Sequence, residues 1–96
     1  MNKEFKNRRK LLSPPGDTIQ ETIDIIGMNQ YELAERIGKN IKNVNRIIKG
    51  KESISPETAL ALERVINIPA DFWLERERLF QKEKAELKFD EEIEKS

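Results

Sequence analysis

Three glycines, Gly27, Gly38 and Gly50, each close a short run of apolar residues spaced three or four apart, and a proline or a small polar residue opens the next run. This punctuation limits the fold more than any other feature. Glycine ends helices because it enters the left-handed conformation without a Cβ penalty, and proline suits a first turn where its missing amide costs nothing. A chain divided in this way folds into several short helices. No segment alternates like a strand for long, and no internal repeat is present. An all-α domain is expected, with its core over about residues 17–80.

Pro14, Pro15 and Gly16 stop whatever lies upstream and launch the first helix, in which Ile19, Ile23 and Ile26 share one face. Asn29 followed by Glu32 reads as a capping box for a second helix over 30–37, with Leu33, Ala34 and Ile37 inward. Asn40 can cap a third helix over about 41–49, with Ile41, Val44, Ile47 and Ile48 inward. Ser55–Pro56 opens a fourth, running to about Ile66, with Ala59, Leu62, Val65 and Ile66 on its buried side. After Pro69 a fifth begins near Ala70 and carries Phe72, Trp73, Leu79 and Phe80, the first two expected in the core. Residues 1–12 lack helical spacing and read as a flexible basic arm. The expected organisation is an arm over 1–12, a folded domain over 13–80, and a charged extension over 81–96.

Among its 96 residues the chain has no cysteine and no histidine. Thiolate zinc sites and disulfides are therefore excluded, and the commonest general base and metal ligand is missing. Neither an enzyme nor a cofactor or metal site is expected. No apolar run approaches the roughly 20 residues that cross a bilayer, so no membrane partner is expected and the location expected by default is the cytoplasm. The formal net charge of zero conceals a segregation. Residues 39–51 hold Lys39, Lys42, Arg46, Lys49 and Lys51 without an acid, whereas Asp90, Glu91, Glu92 and Glu94 crowd the end. A polyanion responds to the local patch and not to the net charge.

The second and third helices, joined at Gly38, meet the demands of a helix-turn-helix. Ala34 is small enough for the third helix to cross closely, Gly38 makes the turn, and Ile37, Val44 and Ile47 lock the pair. The outer face of the third helix is then basic and rich in asparagine. Lys42, Asn43, Asn45 and Arg46 are the expected readers of base edges, since Arg and Lys address guanine and Asn pairs with adenine. Lys39, Asn40, Lys49 and Lys51 are expected at phosphates, which fix register without reading sequence. A merely solvated helix face is the alternative reading of the same residues.

The stretch QYELAERIGKNIKNVNRIIKG over 30–50 resembles the helix-turn-helix of the Xre/Cro repressors. The flanking PPGDTIQE at 14–21, IIKGKESISPETAL at 47–60 and IPADFWLE at 68–75 make the chain similar to the HigA/VapI antitoxins within that family. The resemblance covers about residues 13–80. It implies a five-helix, lambda-repressor-like fold and a protein that binds double-stranded DNA at its own promoter, generally as a homodimer. It also implies a cognate toxin, a small ribonuclease neutralised by direct binding, and a phosphate contact for Gln30. The chain departs from the family at Lys39, where an apolar residue is common, and at Ile41, where a polar one is.

Two other readings stay open at this point. One is a stand-alone repressor, or the DNA-binding part of a longer regulator, with no toxin. The other is a protein-interaction module that has lost its DNA. The basic triplet Arg8–Arg9–Lys10 would reach a minor groove or serve as a solvated tail. The apolar residues Leu79, Phe80, Leu87, Phe89 and Ile93 would form a dimer seam, a partner-binding segment or a solvated helix.

Overall fold

The computed structural model describes residues 3–95. The expected arm and extension also include residues 1, 2 and 96, which lie outside the described residues, as does the side chain of Lys10. The described chain is all-helical: α1 (Lys3–Leu11), α2 (Pro15–Ile26), α3 (Gln30–Ile37), α4 (Ile41–Ile48), α5 (Pro56–Ile66) and α6 (Ala70–Lys95). The termini follow local chemistry. Asn29 and Glu32 form a reciprocal capping box on α3, Asn40 caps α4, and Ser55 caps α5 with Pro56 in its first turn. Gly27 and Gly38 end α2 and α3 at φ 77° and 74°.

The core gathers Ile19 and Ile23 from α2, Leu33 and Ala34 from α3, Val44 and Ile47 from α4, Ala59 and Leu62 from α5, and Trp73 from α6. Two expected core positions differ. Ile26 is 51% exposed, because the chain reverses at Gly27 and Met28 is buried instead, its amide bonded to the Ile23 carbonyl at 2.8 Å. Phe72 is 41% exposed while its neighbour Trp73 is fully buried, the two rings meeting edge to face. Consecutive helical positions lie about 100° apart, so only one of the pair can point straight inward.

Residues 1–12 depart most from expectation. Lys3–Leu11 is a helix packed on α6, so the helices number six among the described residues, where the sequence suggested five. Phe5 is buried, Arg8 pairs with Asp90 at 3.0 Å, and Arg9 pairs with Glu91. One buried aromatic leaves no periodicity to read, and the acids that hold α1 lie at the far end of the chain. The expected boundary between 80 and 81 falls inside α6. That helix has 26 residues, about 39 Å at the standard rise, and dominates the 47 Å length of the molecule.

α6 also braces the helices that matter below. Arg76 donates to the carbonyls of Ser13 and Pro14 at 3.3 and 3.1 Å and to the Thr18 hydroxyl at 3.3 Å, fixing the start of α2. Glu77 accepts the Ile54 amide at 2.8 Å, tethering the connection between α4 and α5. Among the described residues, no helix is long and apolar enough to cross a membrane.

Candidate nucleic-acid interface

The turn between α3 and α4 is built by backbone bonds. Gly38 donates to the Glu35 carbonyl at 3.3 Å and Lys39 to the Ala34 carbonyl at 2.9 Å, closing the end of α3. The buried Ala34 leaves room for α4, which presses Val44 and Ile47 inward with Ile41 and Ile48 half-buried beside them. Asn40 Oδ1 accepts the Asn43 amide at 2.8 Å, satisfying one of the free donors of the first turn. The N-terminal half of α4 is thereby held at a fixed angle to α3.

Its outer face carries Lys42, Arg46 and Lys49, all exposed, with Asn45 half-buried among them. Lys51, also exposed, follows in the loop, and Lys39 is half-buried in the turn. Lys42, Arg46 and Lys49, spaced four and three apart, share one face of the helix. Asn43 lies toward the side of α4, half-buried. Gln30 opens α3 and is not a free end: its Nε2 donates to Gln20 Oε1 on α2 at 2.8 Å, and Gln20 donates in turn to Asp24 at 2.8 Å. Asn40 sits exposed at the start of α4 with its oxygen occupied by the cap, leaving its amide protons as donors.

Two polar residues of this surface escape a reading of the sequence. Gln20 was indistinguishable from any solvated helical position, since its partner Gln30 sits on the next helix. Glu52 stands between Lys51 and Ser53, and its carboxylate accepts from Asn43 Nδ2 at 3.3 Å and lies 3.8 Å from Arg46 Nε. The lone acid directly after a basic run was its only signal. Among the described residues, no group of three or more acids could hold a metal.

A short helix held across another, offering lysine, arginine and asparagine on a protruding face, has the shape and charge to lie in a major groove. The helix-turn-helix family model (HTH_3) matches residues 25–73, from the end of α2 into α6. The chain belongs to the helix-turn-helix family. That family is one of DNA-binding regulators and not of enzymes. The uncharacterized HTH-type transcriptional regulator YddM of Escherichia coli is 30% identical to it over 76 residues, which are 79% of this chain and 81% of that one. An addiction-module antidote protein of the HigA family from Coxiella burnetii superposes with a TM-score of 0.75 at 27% identity, covering 88% of this chain and 94% of that one. The antitoxin HigA of Pseudomonas aeruginosa, solved with the higBA promoter, shares the fold with a TM-score of 0.77 at 22% identity, again over 88% and 94% of the two chains. This helix-turn-helix protein thus has the Xre-type architecture, and its structural neighbours are HigA-type antitoxins, as the motifs over 13–80 imply.

Proposed function

We propose that this protein represses its own promoter by binding it as a homodimer and neutralises a small ribonuclease toxin by direct contact. The observation that carries the reading is the outer face of α4, where Lys42, Arg46 and Lys49 project from a helix fixed by the Asn40 cap and the Gly38 turn. On this reading Lys42, Asn43, Asn45 and Arg46 meet base edges, while Gln30, Lys39, Asn40, Lys49 and Lys51 meet phosphates. Two copies of α4 enter successive major grooves about 34 Å apart. The promoter-bound HigA of the same fold and the Coxiella antidote protein support both halves of the proposal.

Residues 13–80 form the DNA-binding domain in this scheme. The toxin is held by a separate surface made by α1 and the far end of α6, where Leu11, Phe89 and Ile93 remain exposed. Co-expression of the tagged protein with the product of the adjacent small gene tests the toxin half: a stable complex and rescue from toxicity are expected. Titration of the protein's own promoter tests the other half. A harmless neighbour that never co-purifies, together with tight promoter binding, leaves a stand-alone repressor.

A further inference from the structure

Glu52 is placed where an acid should be unwelcome, on a surface meant for a polyanion. The loop after α4 puts it there. The Lys51 and Glu52 amides both donate to the Arg46 carbonyl, at 2.8 and 3.3 Å, and so fold the loop back over the last turn of α4. Glu52 Oε1 then takes a hydrogen bond from Asn43 Nδ2 at 3.3 Å and lies 3.8 Å from Arg46 Nε. Arg46 Nη2 meanwhile donates to the Lys51 carbonyl at 3.2 Å. The loop thus engages the guanidinium at Nη2 by a hydrogen bond and sets a carboxylate beside Nε.

The Glu52 side chain is 30% exposed against 48% for Arg46, so the carboxylate is the more covered of the two and the arginine the more open to a partner. We infer that Glu52 is a positioning residue for base recognition: its carboxylate holds Asn43 and Arg46 in one orientation and offsets part of the arginine charge. Both effects favour sequence reading over plain attraction to phosphate. A pre-ordered arginine loses less freedom when it pairs with a base, and a partly neutralised one gains less from any passing backbone. The inference rests on the reading that the α4 face binds DNA.

The test compares affinities for a duplex from the region upstream of the protein's own gene and for a shuffled duplex of equal length and composition, at one salt concentration. Glu52→Ala should lower the ratio of the two affinities by about tenfold, weakening the promoter complex while tightening the shuffled one. Glu52→Gln keeps an acceptor for Asn43 and loses the charge. It should tighten the shuffled complex while retaining most of the promoter affinity. In a background of Asn43→Ala and Arg46→Ala, the Glu52→Ala change should leave the ratio where it was, because its targets are gone. A folded Glu52→Ala variant with the wild-type ratio overturns the inference and leaves the DNA reading intact. An equal loss in the double-variant background also overturns it, since Glu52 would then act through neither residue. A wild-type protein that does not prefer its promoter removes the DNA reading itself, and this inference with it.

Discussion

Gly16 rests directly on the backbone of Ile48. A Cβ at Gly16 would fall 2.1 Å from the Ile48 carbonyl oxygen and 2.3 Å from its Cα, so the first turn of α2 can touch the end of α4 only because that side chain is missing. Backbone cannot swing aside as a side-chain tip can. Gly16→Ala should therefore destabilise the protein by about 2–3 kcal/mol, the upper range for an overpacked core. It should also weaken promoter binding beyond what the lost stability explains, because the end of α4 has to move. Urea titration and promoter binding at a temperature where the variant is folded measure the two parts. An unchanged midpoint would contradict the contact.

Asn40 is assigned two duties that substitution can separate. Its Oδ1 caps α4 through the Asn43 amide, and its amide protons are left for phosphate. Asn40→Ala should cost about 1 kcal/mol of stability through the lost cap. Asn40→Asp keeps the cap and suits the positive end of the helix, so stability should hold or rise slightly. Promoter affinity should nevertheless fall, since a carboxylate there faces the backbone of the DNA. If the aspartate variant binds DNA as well as the parent, Asn40 is a cap and nothing more.

The helix ends were legible in the sequence because their chemistry is local: Asn29 with Glu32, Gly38, Asn40 and Ser55–Pro56 act within a turn of themselves. The cationic face of α4 was legible for the same reason, since one helical period sorts Val44 and Ile47 from Lys42, Arg46 and Lys49. What escaped depends on tertiary placement. α1 is held by pairs such as Arg8–Asp90, whose members lie 82 residues apart. Gln30 is tied to Gln20 across two helices, and Glu52 reaches Asn43 only after the loop folds back. No window of one helix contains these partners.

Trp73 combines complete burial with an indole N–H that finds no hydrogen-bond partner among the described residues. Removing the ring by Trp73→Ala should cost about 4 kcal/mol, much of the roughly 5–15 kcal/mol that holds a small domain together. Trp73→Phe also leaves a gap, yet it removes a buried donor whose isolation costs about 1–3 kcal/mol. Its loss should be less than half that of the alanine variant. Since the chain has a single tryptophan, the comparison needs far-ultraviolet circular dichroism in place of fluorescence. Equal losses for the two variants would mean the indole nitrogen is solvated after all.

α1 packs chiefly on α6, through Phe5 and two ion pairs. Phe5→Ala should release α1 without unfolding α2–α5, because the main core contains nothing from residues 3–11. Hydrogen exchange should quicken in α1 and along α6 beyond Phe80 while Leu33, Val44 and Leu62 stay protected. Arg8→Ala should matter little, within about 1 kcal/mol, since both partners are substantially exposed. Arg9→Ala should cost more, because Glu91 is buried. Loss of protection spread evenly over all the helices would make α1 part of one cooperative unit.

Salt dependence separates the residues assigned to phosphates from those assigned to bases. Each phosphate neutralised on duplex DNA contributes about 0.9 to the slope of log affinity against log salt. Lys49, exposed at the end of α4, should behave as such a contact: Lys49→Ala should weaken promoter and shuffled duplexes alike and flatten the slope by about one. Asn45 carries no charge and stands on the outer face of α4, so Asn45→Ala should leave the slope unchanged. It should weaken the promoter complex alone, by about 1–3 kcal/mol, and relax discrimination at one base pair of each half-site. Arg46→Ala should do both, because a guanidinium on a base edge also brings its charge among the phosphates. The docking would have to be turned around if Lys49→Ala changed sequence preference while Asn45→Ala changed only the slope.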